Sequence, residues 1–101
     1  MLYSVQQIRY DCLAFIKELG GSFADFVIGV GENPRSALFT VHNVHPERDA
    51  WMYRQALSFA AVRTVNNYFV GKLGVDGAEV TSGPDDCDCI YLYKKSETTT
   101  P

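Results

Sequence analysis

The densest group of chemically useful side chains in this chain is Asp85-Asp86-Cys87-Asp88-Cys89, which combines carboxylates and thiols within five positions. Thiolates and imidazoles bind zinc when four of them converge. Here Cys87 and Cys89 are separated by a single residue, no second cysteine pair exists, and His42 and His45 belong to a different part of the chain. The spacing predicts no metal site. Nucleophilic catalysis would need a thiol or hydroxyl beside a base in an electropositive setting, and Cys87 has aspartates on both sides. The glycines of Gly29-Val30-Gly31 and the pair Gly74 and Gly77 lack the spacing of a phosphate-binding loop.

Aromatic residues offer a second kind of chemistry. Trp51 and Tyr53 alternate in one segment and Tyr91 and Tyr93 in another, so each pair falls on one face of a strand. Such faces can stack single-stranded bases, or they can fill a core or a subunit contact, which is the expected use on a small sheet covered by helices. The net charge of −3 argues against simple attraction to nucleic acid. Asp76, Glu79, Asp85, Asp86 and Asp88 lie in one span without a base. That span reads as a solvated loop, with an acidic lobe facing a basic partner as the alternative. The residues placed to contact a partner are Arg35, His42, Trp51, Tyr53, Asp85 and Asp86.

The elements that must position these groups are legible from periodicity. Ser4 and Gln7 form a capping box, and Val5, Ile8, Cys12, Phe15, Ile16 and Leu19 recur at helical spacing, so residues 4–19 are predicted as an amphipathic helix ended by Gly20 and Gly21. Phe26, Ile28 and Val30 alternate in a strand over 26–30, whose opposite face carries Gly29 and Gly31 and admits close approach. Asn33 caps a short helix that opens with Pro34, turns Leu38 and Val41 toward the sheet and ends near His42. A second strand covers 51–56. Ser58 caps a third helix with core positions Val62, Val65, Phe69 and Leu73, closed by Gly74.

Residues 74–86 read as a long mobile connection, residues 89–94 as the last strand, and residues 96–101 as a disordered tail after a single domain over 1–95. One chain of 101 residues supports one core. The expected fold class is α+β, a small three-stranded, mainly antiparallel sheet packed with three helices. The apolar runs are too short to span a bilayer, no leader-like segment precedes the first helix, and an odd number of cysteines fits a reducing cytoplasm with all thiols free.

The string from Phe26 to His45, FVIGVGENPRSALFTVHNVH, resembles the second signature strand and following helix of the GIY-YIG nuclease family. Val27-Ile28-Gly29 stands where that family writes YIG, and the similarity extends over about residues 26–69. The resemblance implies a GIY-YIG-like sheet with Arg35, His42, Tyr91 and Tyr93 as the candidate catalytic groups of a Mg²⁺-dependent nuclease. It also places Ala37 where the family has its catalytic arginine and Asn66 where it has its metal-binding glutamate. The family's first strand has no counterpart before residue 26. IYLYK near the end of the chain would replace it in space, a circularly permuted arrangement.

The leading expectation is therefore a noncatalytic binding module on a degenerate GIY-YIG-like scaffold, acting through a protein or nucleic-acid partner, with no cofactor. A small inhibitor from a mobile element that occupies a basic groove on another protein would be one form of it. A homodimer is compatible with the same surface. The alternative is a divalent-metal endonuclease with displaced groups, drawing on Arg35 and an acid such as Glu32 or Glu79.

Overall fold

The computed structural model describes residues 1–101. Helix α1 spans Val5–Leu19, strand β1 Phe26–Gly31, helix α2 Pro34–Ser36, strand β2 Trp51–Gln55, helix α3 Phe59–Tyr68 and strand β3 Cys89–Lys94. A short 3₁₀ turn, Phe23–Asp25, leads into β1. Both α2 and α3 widen into π-helical turns, Ala37–Val41 and Phe69–Leu73. The α+β class and the antiparallel sheet agree with the sequence pattern.

Strand β3, last in the chain, is the centre of the sheet, whose order is β1-β3-β2. It pairs antiparallel with both neighbours, Gly29 opposite Tyr91 on one side and Tyr53 opposite Tyr91 on the other. A central strand can bury both faces, and β3 does: Cys89, Ile90, Tyr91, Leu92 and Tyr93 are all buried. Ile90 and Leu92 join Phe26, Ile28 and Met52 on the face covered by α1 and α3. Tyr91 and Tyr93 join Val27, Leu38 and Val44 on the other, under the α2 segment.

Helix α1 begins where Ser4 Oγ accepts from Gln7 N–H at 3.1 Å and ends at Gly20, whose φ of 77° suits glycine. Its buried residues, Ile8, Cys12 and Ile16, follow the i, i+4 stripe. Complete burial of a side chain such as Ile8 is worth about 1.5–3 kcal/mol, enough to dock the helix although its propensity alone would not. Asn33 Oδ1 caps α2 through Ser36 N–H at 3.1 Å, and Ser58 Oγ caps α3 through Ala61 N–H at 3.2 Å.

Two expectations change. Val41 is exposed, at 64 %, whereas Leu38 is fully buried. The π turn is the reason. With His42 N–H donating to Ala37 five residues back, the turn is wider than 3.6 residues, and the face that an α-helix would give to position 41 passes to Val44, which is buried. The connection after α3 is also anchored. Asp76 bridges to the outer edge of β1, accepting from Ile28 N–H at 3.0 Å and donating to Phe26 at 2.9 Å. Asn67 holds both main-chain groups of Val80, each at 2.8 Å, and Val75 is buried. Side-chain amides on α3 thus order a segment whose composition alone reads as loose.

Candidate functional site

The wide turn at the end of α2 delivers His42 over β3. His42 Nε2 lies 3.0 Å from the Tyr91 hydroxyl, and Nδ1 lies 3.1 Å from that of Tyr93. Tyr91 reaches this position because its neighbour across the ladder is Gly29, where a Cβ would collide with the phenol ring. The bare glycine face expected from the sequence is taken up by that ring. Gly31 has nothing near it and stays open.

The hydrogen-bond directions follow from the partners. His42 Nδ1 is 2.8 Å from the carbonyl oxygen of Thr100, which only accepts, so the ring proton is assigned to Nδ1 and Nε2 receives the Tyr91 hydroxyl. Tyr93 donates to the same carbonyl at 3.4 Å. Thr100 N–H donates to His42 O at 2.7 Å, and Asn43 Nδ2 reaches Thr100 Oγ1 at 3.3 Å. Residues 96–101 put no side chain into the core, as their composition implies, yet Thr100 lies across the histidine by both its main-chain groups. Burial raises the phenol pKa of Tyr91, and burial followed by the charges of Tyr91 and Asp76 pushes that of Tyr93 up to about 12. Both are hydrogen-bond donors at neutral pH.

A cavity of about 440 Å³ adjoins the cluster at the β1 edge, lined by Gly29, His42, Asn66, Gly77, Tyr91 and others. Asn66 is fully buried. Its Nδ2 donates to Ala78 O at 3.0 Å and Asn67 Oδ1 at 3.1 Å, and its Oδ1 has no partner. The sequence marks Asn66 only through the resemblance, as a neutral residue where a carboxylate is expected. The signal that marks it as a structural clamp is its neighbour Asn67, since adjacent side-chain amides, one buried and one half-buried, can satisfy irregular backbone.

Arg35 stands apart from the histidine. Its Nε donates to the Tyr53 hydroxyl at 3.2 Å, and its guanidinium lies 5.5 Å from the centre of that ring. Tyr53 in turn stacks on Trp51 with ring planes 4° apart, and Phe39 meets Trp51 edge-on at 5.0 Å. Of the aromatics singled out in the sequence, Tyr91 and Tyr93 are core, whereas Trp51 and Tyr53 are half-buried at the sheet margin.

Asp85 and Asp86 are exposed and form no ion pair; the acids that do are Asp11, which meets Arg54 Nε at 3.2 Å, and Asp76, which meets Lys95 Nζ at 2.9 Å. Cys12, Cys87 and Cys89 are free thiols. No group of three or more His, Cys, Asp or Glu side chains is disposed to hold a metal ion, and no helix is long and apolar enough to cross a membrane. Two environments therefore emerge, a His42–Tyr91–Tyr93 cluster packed under Thr100 beside that cavity and an open Arg35–Tyr53–Trp51 margin on β2. No protein-family model matches the chain, and neither a curated protein nor a solved structure is significantly similar to it.

Proposed function

We propose that this protein is a noncatalytic binding module on a degenerate GIY-YIG-like scaffold, working through a macromolecular partner. One observation carries the reading: Asn66, at the position where the resemblance asks for a metal-binding carboxylate, is neutral, fully buried and committed to Ala78 O and Asn67. A divalent ion needs an anionic oxygen ligand there, and an amide that staples a loop does not supply one. The other matching position, Ala37, has no charge to stabilise a phosphorane, and Arg35 is engaged with Tyr53.

The His42–Tyr91 contact favours the second reading, a divalent-metal endonuclease, because it pairs an imidazole with a phenol on a glycine-floored strand. A phenol whose pKa is raised is a poor general base, which weighs against it. Incubating the protein with supercoiled, linear and single-stranded nucleic acid in magnesium or manganese decides between them. No cleavage is expected. Metal-dependent cleavage abolished by Arg35→Ala would install the nuclease instead.

A further inference from the structure

Strand β2 is an edge strand with an outward main-chain row that the protein satisfies only in part. The bonds Lys94 N–H to Ala50 O, at 3.1 Å, and Ala56 N–H to Asp88 O, at 2.9 Å, fix the ladder phase, so even-numbered residues of β2 face β3 and Trp51, Tyr53 and Gln55 face outward. On that outer side Gln55 O accepts from Tyr3 N–H at 2.8 Å and Tyr53 O accepts from Arg54 Nη1 at 2.8 Å. The N–H groups of Trp51, Tyr53 and Gln55 and the carbonyl of Trp51 have no protein partner. Tyr3, bridged in parallel to Ala56, marks the start of a fourth-strand lane that is empty beside the rest of β2.

The surroundings of that lane state what would fill it. An open cleft of about 510 Å³ runs along it, lined by Tyr3, Arg35, Trp51, Tyr53, Arg54 and Gln55 among others, with two arginines and no acid. Arg54 is paired with Asp11 at 3.2 Å; Arg35 has no carboxylate within ion-pair distance. Glu32 lines an adjoining cleft that shares Arg35 and Tyr53, without neutralising that arginine. With Arg54 neutralised by Asp11 and the Gln55 amide donating to Asp88 Oδ2 at 3.0 Å, Arg35 is the cation left without an ion-pair partner on this aromatic-walled edge.

We infer that β2 is a docking edge for an extended acidic peptide, which adds to the sheet as a fourth strand and sets a carboxylate against Arg35. This rests on the reading of the protein as a binding module and names its partner class. A peptide backbone brings alternating donors and acceptors, which is what the row of Trp51, Tyr53 and Gln55 requires. A nucleic-acid strand is the poorer occupant, because phosphates only accept and would leave the Trp51 carbonyl unsatisfied. A second copy pairing edge to edge about a two-fold axis would bring the two Arg35 side chains together, a like-charge contact that disfavours the homodimer. Trp51 and Tyr53 then serve as rigid walls, already stacked before the peptide arrives.

The test uses the full chain as bait for a displayed library of random short peptides, followed by amide NMR with the enriched sequences. Acidic, proline-poor peptides should be enriched, and they should shift the Trp51, Tyr53 and Gln55 amides and slow their exchange. Arg35→Glu, a surface change, should weaken binding about tenfold. Gln55→Pro removes one outward N–H without touching the ladder to β3 and should also weaken it. Enrichment of basic or proline-rich peptides, no enrichment at all, or a footprint away from β2 would overturn the inference. So would protection of the same amides by a single-stranded oligonucleotide or by self-association. Nuclease activity would sink the noncatalytic reading alone, and failure of peptide binding would sink only the docking edge.

Discussion

The Tyr91 hydroxyl lies 3.0 Å from Nε2 of His42, across 49 positions of sequence. The contact is possible because three local features coincide: a π turn that swings His42 over the sheet, a glycine opposite Tyr91 in the ladder, and a strand from the far end of the chain at the sheet centre. Gly29→Ala should therefore destabilise the fold by roughly 1–3 kcal/mol, since a methyl group there overlaps a ring that cannot retreat from the core. Tyr91→Phe, which keeps the ring and removes one hydrogen bond, should cost about 0.5–1.5 kcal/mol. Urea unfolding of both variants checks the order, and equal costs would mean that the glycine is not there for the ring.

Because β3 is central, removing residues 89–95 should abolish folding, as it deletes the partner of both other strands and five buried side chains. Removing residues 96–101 should leave a folded domain. That shorter loss takes away the Thr100 contacts to His42, worth about 0.5–1.5 kcal/mol net each, and should lower Tm by several degrees while changing the His42 ring nitrogen signals. A cooperative melt of the longer deletion would contradict the sheet order.

Acid should loosen the anchored connection. The Asp76 carboxyl is held below its ordinary value of 3.8, chiefly by its hydrogen bond from Lys95. A depressed folded-state pKa means that this contribution is complete above the unfolded value and is lost as pH falls through the folded one, below 3.8. Both side chains are a third or more exposed, so the pair contributes under roughly 1 kcal/mol. Asp76→Asn should flatten the low-pH part of the stability profile by that amount and leave the neutral region almost unchanged. A variant that tracks the parent throughout the acid range would show the pair to be idle.

Thiol reactivity should separate the folded and unfolded protein. Burial pushes Cys12 up to about 12, and burial with the neighbouring Asp88 pushes Cys89 up to about 11, so neither carries much thiolate near neutral pH. Native protein should react slowly at both, while denatured, unreduced protein should titrate all three thiols. A single titratable thiol would reveal a Cys87–Cys89 bridge.

Periodicity and capping are properties of neighbouring residues, and these the chain declares by itself. Ser4, Asn33 and Ser58 mark the helix starts, Gly20 and Gly74 mark the ends, and the alternations at Phe26, Trp51 and Cys89 mark the strands, because a cap or a pleat needs only a few adjacent side chains. What tertiary structure decided involves partners remote in sequence. Strand order depends on which edges meet, and nothing local tells β3 to enter between β1 and β2. The outward turn of Val41 depends on a single hydrogen bond that skips one residue more than an α-helix would. The separation of Arg35 from His42 follows from Tyr53 lying one strand away from the histidine's partners, Tyr91 and Tyr93, a distance set only when the sheet closes. Residue types announced the candidate groups; the ladder and the π turn sorted them into a packed cluster and an open edge.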